Sequence, residues 1–286
     1  MVYNFAKNFG IKNAPTWCPG CGNYGIWAAV RRAFVALKLP PHKILSVYDI
    51  GCSGNGSNWL KTYAFHSLHG RSLPAAVGAK IANRELTVMC FGGDGGGLGE
   101  GGNHFMHTCR TNIDITYIIH DNQLYSLTTG QASPTSNAGM KTKSTPEGGL
   151  LEPLHPLQIA ISSGATFAAR GYADDIQGLS DTIIKAIQHR GFSVVDILQP
   201  CVTFNMLNTR DWYKQHIKTL DSTWNPHDKN AALLNASLMP DGKIPIGVIY
   251  QEERKTFEDN KGVNSADPLI RQVKKQRVES LIDTFR

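Results

Sequence analysis

A run of glycines between two apolar segments constrains the fold of this chain more than any other feature. The apolar segment at residues 86–91 has the length and composition of a buried parallel strand. It leads into the motif GGDGGG at residues 92–97, where the backbone can turn sharply because glycine has no side chain to obstruct it. A helical pattern over residues 100–110 and a second apolar segment at residues 113–120 follow. The sequence therefore predicts a strand, a glycine turn, a helix and a second strand in succession.

Two polar residues lie where these predicted strands end. Asp94 follows the first strand, and Asn122 follows the second strand in the motif DNQL at residues 121–124. Open α/β sheets bind ligands at the carboxyl ends of their strands. Mg²⁺ can take a carboxylate oxygen from Asp94, an amide oxygen from Asn122 and a nearby main-chain carbonyl, and a diphosphate would complete the octahedron. Glycine amides and a helix N-terminus suit the same anion.

A Gly-Asp-Gly motif alone is weak evidence, because it is also typical of an ordinary tight turn. When a helix, a strand and Asp-Asn follow it, however, the segment resembles the thiamine diphosphate signature, which has an asparagine at this distance. We therefore interpret this part of the chain as the diphosphate-binding part of a thiamine diphosphate site.

Four of the six cysteines lie in predicted turns. Cys18 and Cys21 form a Cys-Pro-Gly-Cys motif, Cys52 follows a predicted strand at residues 43–49, and Cys201 follows another at residues 192–198. Four thiolates suit either a tetrahedral Zn²⁺ or a [4Fe–4S] cluster. The Cys-x-x-Cys pair alone favours zinc or a redox dithiol, whereas the two isolated partners differ from the paired motifs of a zinc ribbon. The spacing leaves both kinds of centre open, and we prefer the cluster.

The other two cysteines fall inside predicted secondary structure. Cys90 lies in the first strand and Cys109 in the following helix, and we expect both to be small buried hydrophobes. The N-terminus has no basic segment followed by an apolar one, so we expect a cytoplasmic protein without structural disulfides. No apolar run reaches the roughly 18 residues of a membrane span, so no transmembrane helix is expected.

Strands and helices alternate through the first two thirds of the chain. This pattern predicts an α/β domain at residues 1–204 with a doubly wound, mostly parallel sheet. Residues 205–286 are more polar and contain scattered aromatic residues. We interpret them as a C-terminal arm that packs on this domain or on a partner and ends in a charged helix over residues 267–285. The net charge of +6 fits either a solvated basic surface or an acidic partner, such as a nucleic acid or an acidic electron carrier. Charge alone does not distinguish these.

Taken together, these motifs resemble the β subunit of 2-oxoacid:ferredoxin oxidoreductases, and their wording is nearest to the 2-oxoglutarate type. The resemblance covers residues 13–205 and rests on WCPGCG at 17–22, IGCSG at 50–54, LHGR at 68–71, GDG at 93–95, RTNID at 110–114, TGQASPT at 129–135 and QPCVTFN at 199–205. It implies the oxidative decarboxylation of a 2-oxoacid with coenzyme A. That reaction gives acyl-CoA, CO₂ and reduced ferredoxin, and it can run in reverse to fix CO₂.

The resemblance also implies three cofactors and the residues that hold them. A [4Fe–4S] cluster would be held by Cys18, Cys21, Cys52 and Cys201. Mg²⁺ would be held by Asp94, Asn122 and the main-chain carbonyl of Leu124. Thiamine diphosphate would be lined by Ile50, Gly51, Cys52, Ser53, His69, Gly95 and Gly96.

A partner chain is implied as well. In thiamine enzymes a glutamate on a second α/β domain activates the cofactor, and this chain has too few predicted strands for a second domain. We therefore expect an α subunit to supply the pyrimidine-binding half of the site. The expected assembly is an α/β heterodimer doubled about a two-fold axis, with ferredoxin docking near the cluster and with neither nucleic acid nor membrane as a partner.

The chain departs from the family pattern at two places. The family often has an acidic residue where this chain has Gly96, and often has Lys or Arg shortly after the Cys-Ser pair, where this chain has Gly54-Asn55-Gly56. The second departure removes a charged contact for the substrate, so pyruvate stays open beside 2-oxoglutarate as the substrate. Two different functions also stay open, a zinc-stabilised, non-catalytic binding module and a thiamine decarboxylase without a cluster.

Overall fold

The computed structural model describes residues 9–10, 14–237, 242–260 and 268–271. Their strands are β1 (Ile44–Tyr48), β2 (Tyr63–His66), β3 (Thr87–Gly93), β4 (Ile115–Asp121), β5 (Leu124–Tyr125), β6 (Gln131–Ala132), β7 (Phe167–Tyr172), β8 (Phe192–Leu198), β9 (Ile217–Thr219) and β10 (Ile244–Gln251). Eight of them form one sheet in the order β2-β1-β3-β4-β8-β7-β10-β9, and β5 and β6 form a separate hairpin. Neighbours in the large sheet are parallel except β7 and β10. The predicted α/β class with a mostly parallel sheet is therefore confirmed.

Helices cover both faces of the sheet. They are α1 (Asn23–Ala36), α2 (Ser72–Ala82), α3 (Gly102–Thr111), α4 (Pro156–Ser162), α5 (Ile176–Gln188), α6 (Arg210–His216), α7 (Lys229–Ala236) and α8 (Phe257–Asn260). Apolar side chains of α1 and α5 fill the core on one face, and those of α2, α3, α4 and α7 fill the core on the other. Within the described residues, no helix combines the length and the apolar composition needed to cross a membrane.

The burial of β3 on both faces of the sheet explains why its sequence is continuously apolar. Val88 and Cys90 pack into the core on one face, whereas Met89 and Phe91 pack into the core on the opposite face. Successive side chains of a strand point to opposite faces, so a strand covered on both sides has no polar face. The predicted strand at residues 86–91 is therefore present, with its end extended to Gly93.

The glycine turn lies at the point where the strand order reverses. From β1 the chain crosses to β2, and it then returns to β3 on the other side of β1. A switch of this kind leaves a crevice between the carboxyl ends of β1 and β3. A π-helical turn, Gly95–Glu100, follows β3 before α3 begins. The helix predicted to start at residue 100 therefore starts slightly later, after a wider turn.

The region after residue 204 adds two strands to one edge of the sheet. Strand β10 is antiparallel to β7, and β9 is parallel to β10. The predicted domain boundary at residue 204 stays a prediction, although the described part of the region packs on the sheet. Apart from the 3₁₀ turn Leu269–Arg271, the charged helix predicted over residues 267–285 lies outside the described residues.

A buried arginine joins this region to the centre of the sheet. Arg170 of β7 is fully buried, and its Nε donates to Asp196 Oδ2 of β8 at 3.2 Å. The same guanidinium donates to the carbonyl of Ala236 at 2.8 Å and to that of Pro245 at 3.3 Å. Both carbonyls belong to the region after residue 204, so one side chain ties that region to β7 and β8.

Candidate functional site

Asp94 immediately follows β3 and is completely buried at the carboxyl edge of the sheet. Its Oδ2 accepts hydrogen bonds from Ser133 Oγ at 2.5 Å and from Thr135 Oγ1 at 2.8 Å. The main-chain N–H of Asn122 lies 3.4 Å from its Oδ1. Burial raises the pKa of Asp94 to about 6, and the two hydroxyl donors oppose this rise. The carboxylate is thus held in a fixed orientation by neutral donors, a position that a divalent cation would favour.

Asn122 follows β4 and lies in the same cleft as Asp94. Its Oδ1 accepts hydrogen bonds from the N–H of Leu124 at 3.1 Å and from Ser126 Oγ at 2.8 Å. The hairpin of β5 and β6 then turns the chain back over this edge, since Leu124 pairs with Ala132. That return brings Ser133 and Thr135 to Asp94, which explains how residues so distant in sequence fix one carboxylate.

The opposite wall of the cleft follows β1 and is shaped by a second buried carboxylate. Asp49 Oδ1 accepts hydrogen bonds from the N–H of Ile50 at 2.7 Å and from the N–H of Gly70 at 2.9 Å. These two contacts hold the segment after β1 beside the loop that carries His69. Burial raises the pKa of Asp49 despite both hydrogen bonds. This carboxylate was not predicted as part of the site, although its position at the end of a predicted strand was a usable signal.

One cleft brings together every residue that the sequence assigned to the thiamine cofactor or to Mg²⁺. The residues of that prediction that line it are Ile50, Gly51, Cys52, Ser53, His69, Asp94, Gly95, Gly96, Asn122 and Leu124. The cleft lies between the carboxyl ends of β1 and β3, as the strand order requires. Its lining also includes His120 and Tyr125, which the sequence analysis did not assign.

The lining has room and hydrogen-bonding capacity for a phosphate group. A Cβ atom at Gly95 would lie 2.5 Å from Tyr125 Cε1, and one at Gly96 would lie 2.7 Å from Asp49 Oδ2. Only glycine therefore keeps the backbone bare at these two positions. Ser53 Oγ is buried without a hydrogen-bond partner among the described residues, whereas His69 Nδ1 lies 3.3 Å from Glu100 Oε2. Bare backbone together with the unpaired Ser53 hydroxyl fits a bound diphosphate.

A second cavity adjoins this cleft and contains the four predicted cluster cysteines. Cys18, Cys21, Cys52 and Cys201 all line it, and Cys52 and Asn122 line both the cavity and the cleft. The Cys-x-x-Cys turn is closed by a hydrogen bond from the N–H of Cys21 to the carbonyl of Cys18 at 2.9 Å. Trp17 Nε1 donates to the carbonyl of Cys52 at 2.8 Å. This contact fixes the turn against the segment after β1.

The cysteines differ in their surroundings. Burial, with the neighbouring thiols adding to it, raises the pKa of Cys52 to about 12. All six cysteines are free thiols. Cys90 and Cys109 are completely buried in the apolar core, as predicted. The four cysteines that border the cavity are therefore separate from the two cysteines in the apolar core.

The chemistry of each donor set limits the metal centre that it could hold. Among the described residues, no group of three or more His, Cys, Asp or Glu side chains is arranged to hold a metal ion. The four thiols border one cavity, and thiolate ligands suit either a tetrahedral zinc ion or a multi-iron cluster. The predicted Mg²⁺ set contains only one such side chain, Asp94, with an amide and a main-chain carbonyl. Both ligand sets stay predictions.

Two family models match the chain. One is described as thiamine pyrophosphate enzyme, C-terminal TPP binding domain, and matches residues 49–197. The other describes the C-terminal part of the pyruvate ferredoxin oxidoreductase beta subunit, and matches residues 201–265. The first match spans the glycine turn and both walls of the cleft. The thiamine diphosphate-binding domain predicted from the sequence is therefore confirmed.

Two relatives of the chain are both named as β subunits of 2-oxoacid:ferredoxin oxidoreductases. It is 44% identical over 249 residues to the 2-oxoacid:ferredoxin oxidoreductase subunit beta of Saccharolobus solfataricus, covering 83% of this chain and 82% of that one. It is 41% identical over 276 residues to the corresponding subunit of a Sulfolobus species, covering 92% and 90%.

A solved structure, 2-oxoglutarate:ferredoxin oxidoreductase from Magnetococcus marinus with 2-oxoglutarate, coenzyme A and succinyl-CoA bound, is 33% identical. It aligns with a TM-score of 0.89 over 100% of this chain and 97% of that chain. The cleft at the switch point, the two family matches and these relatives agree. The chain is therefore a member of the 2-oxoacid:ferredoxin oxidoreductase β subunit family, whose members are oxidoreductases that act together with partner subunits.

Proposed function

We propose that this chain binds the diphosphate of thiamine diphosphate through Mg²⁺ and carries a [4Fe–4S] cluster beside it, in an enzyme that oxidatively decarboxylates 2-oxoglutarate with coenzyme A. One observation carries the proposal: Cys52 lines both the thiamine cleft and the cysteine cavity. Electrons that leave a substrate in the cleft would therefore have a short path to a cluster in the cavity. From there they would pass to ferredoxin.

In this proposal Asp94, Asn122 and the carbonyl of Leu124 hold the metal. Thiamine diphosphate, when bound, supplies the electron sink that decarboxylation requires. Ser133 and Thr135 fix the Asp94 carboxylate through their hydroxyl groups, so the ligand oxygen is oriented before the metal arrives. Gly95 and Gly96, the segment from Ile50 to Ser53, and His69 would surround the diphosphate.

Cys18, Cys21, Cys52 and Cys201 would hold the cluster. Their common cavity beside the thiamine cleft supports this assignment. A zinc-stabilised, non-catalytic binding module would not explain the thiamine-type cleft next to the thiols. A thiamine decarboxylase without a cluster would not explain the four free thiols that line the adjoining cavity.

The substrate proposal rests on likeness to the 2-oxoglutarate type, and the structure in complex with 2-oxoglutarate supports it. The loop after Cys52 offers Gly54, Asn55 and Gly56, so it has no cation for the distal carboxylate of 2-oxoglutarate. That carboxylate would be recognised by another part of the assembled enzyme. The ratio of kcat/KM for 2-oxoglutarate to that for pyruvate decides the substrate, and a clear preference for pyruvate would reverse this assignment.

An α subunit would complete the site, in an assembly of two α and two β chains. The cleft supplies groups for the diphosphate and the metal, and Leu127 in its lining is half exposed. Leu68, which precedes the lining residue His69 in the sequence, is exposed as well. Such side chains next to a cofactor site suit a surface that another chain covers. We expect this chain alone, loaded with its cofactors and supplied with substrate, coenzyme A and an electron acceptor, to be inactive. Turnover at the level of the assembled enzyme would refute that expectation.

The deciding experiment on the cluster is iron and acid-labile sulfide analysis of the anaerobically purified assembled enzyme. We expect near four iron and four sulfide per β chain for this site, after subtracting any centres on partner chains, as a [4Fe–4S] cluster requires. Replacing Cys18, Cys21, Cys52 or Cys201 by Ser should lower that content. The matched controls Cys90→Ser and Cys109→Ser should retain it. Stoichiometric zinc without iron in this chain would overturn the proposal.

A further inference from the structure

The side-chain amide of Gln199 lines the cysteine cavity. Gln199 is only 1% exposed, and its side chain also hydrogen-bonds the imidazole of His120, which lines the thiamine cleft. A buried amide needs partners for its polar atoms. This one therefore lies between the wall of the thiamine cleft and the cysteine cavity.

The nitrogen of the same amide is directed at a cysteine. Gln199 Nε2 donates a hydrogen bond to Cys21 Sγ across 3.7 Å. Burial raises the pKa of Cys21, and the main-chain and side-chain N–H groups of Asn23 oppose that rise. The Cys21 sulfur therefore accepts a hydrogen bond from Gln199 and lies close to the N–H groups of Asn23.

Neighbouring contacts hold both amides in place. The main-chain N–H of Gln199 donates to the carbonyl of Asp121 at 2.8 Å. A Cβ atom at Gly22 would lie 2.7 Å from Gln199 Cγ, so the bare glycine lets Gln199 pack directly on the Cys-x-x-Cys turn. His120, in the wall of the thiamine cleft, has its Nδ1 only 2.7 Å from Asn23 Oδ1. With its oxygen engaged there, Asn23 has an Nδ2 that makes no hydrogen bond among the described residues.

We infer that Gln199, together with Asn23, is a positioning residue that raises the reduction potential of an iron–sulfur cluster bound through Cys21. This inference rests on the proposed function, because it requires Cys21 to be a cluster ligand. Reduction adds one electron to the cluster and increases the negative charge on its sulfur ligands. Hydrogen bonds to those sulfurs therefore favour the reduced form. No bond of Gln199 forms or breaks, and its proton stays on the amide nitrogen.

The test is a redox titration of the assembled enzyme followed by electron paramagnetic resonance, comparing wild type with Gln199→Met. Methionine keeps an unbranched side chain of similar size but has no N–H donor. One lost hydrogen bond typically changes an equilibrium by roughly three- to tenfold. We expect the ratio of reduced to oxidised cluster at the wild-type midpoint to fall about fivefold. That change corresponds to about 40 mV toward more negative potential, at about 59 mV per tenfold for one electron.

The matched control is Gln158→Met, which removes a glutamine that donates to the carbonyl of Leu233 at 3.0 Å and does not line the cysteine cavity. Its potential should not move. A Gln199→Met enzyme with full iron and sulfide content and a more negative midpoint supports the inference. The same enzyme with an unchanged midpoint overturns it and leaves the proposed function intact. Wild-type enzyme without iron in this chain overturns both.

A second measurement needs no variant. Wild-type enzyme with ¹⁵N in the glutamine side-chain amides is reduced and studied by pulsed electron paramagnetic resonance. We expect a ¹⁵N coupling to the cluster from Gln199, since a hydrogen bond to a ligand sulfur shares its spin density. A reduced cluster without any glutamine coupling would contradict the inference even if Gln199→Met failed to load a cluster.

Discussion

Replacing Gly96 by Ala should weaken thiamine diphosphate binding, because the added methyl group has no space. Its Cβ would lie 2.7 Å from Asp49 Oδ2, 2.9 Å from His69 Nδ1 and 3.0 Å from His69 Cε1. Carbon contacts of this kind are normally about 3.5 Å or longer. His69 can rotate away, but Asp49 is completely buried and accepts two main-chain hydrogen bonds. The glycine turn that contains Gly96 must therefore shift, or those two hydrogen bonds must break.

The magnitude follows from the usual penalty for overpacking, about 1–3 kcal/mol per added methyl group. A loop that shifts to relieve the clash must return to its original shape before the cofactor can bind, so the strain is expressed as lost affinity. At about 1.4 kcal/mol per tenfold change in Kd, the loss should be roughly 5- to 140-fold. Titration calorimetry of the assembled enzyme with thiamine diphosphate at saturating Mg²⁺ measures it directly.

The matched control is Gly102→Ala, at the start of α3 and close to the same turn. A Cβ atom there meets nothing within 4 Å, and alanine is the better helix former. The control should bind the cofactor like wild type, with equal or slightly higher thermal stability. If Gly96→Ala binds within twofold of Gly102→Ala, the cleft does not hold the cofactor against the glycine turn, and the reasoning fails.

Three further predictions concern other contacts of the described residues. Asp94→Asn keeps the size of the side chain but removes its charge, so Mg²⁺-dependent cofactor binding should weaken at least about tenfold by calorimetry; unchanged affinity would exclude Asp94 as a ligand. Thr135→Val removes the hydroxyl that bonds Asp94 and should lower the free energy of unfolding by about 1–3 kcal/mol in a urea titration. Arg170→Met leaves Asp196 buried without its partner and should cost about 3–5 kcal/mol. Lys214→Met, in an exposed ion pair, should change the free energy of unfolding by less than about 1 kcal/mol. Equal losses of stability in Arg170→Met and Lys214→Met would contradict the larger role given to the buried pair.

The walls of the cleft could be predicted because they follow a local pattern. Asp94 and Asn122 each come directly after an apolar run, and parallel strands align their carboxyl ends along one edge. The groups that orient them could not be predicted in the same way. Ser133 and Thr135 reach Asp94 only because the hairpin of β5 and β6 folds back over the edge. Two-residue strands leave no periodicity in the sequence to reveal that return.

The region after residue 204 shows a different limit. Strand β10 is apolar, but its sequence includes Pro245 and Gly247, and its pairing with β7 shifts between Val248 and Tyr250. Both residue types are typical of irregular or edge positions, so the run was not predicted as a strand of the main sheet. Gln199 is a further example. No local signal distinguishes a glutamine that bonds a thiol from one that faces solvent, since only the packing of the Cys-x-x-Cys turn against β8 creates the contact.

The Arg170 guanidinium joins β7 to carbonyl groups that the ribosome adds to the chain much later. Strand β7 ends at Tyr172, whereas its neighbour β10 ends at Gln251, about 80 residues later. At about 5–20 residues per second, the nascent sheet has an open edge for roughly 4–16 s. The carbonyl acceptors of Arg170 at Asn235, Ala236 and Pro245 are made during this interval. Unpaired strand edges are where growing chains associate wrongly. The growing subunit therefore exposes this edge of the sheet until its last strand emerges.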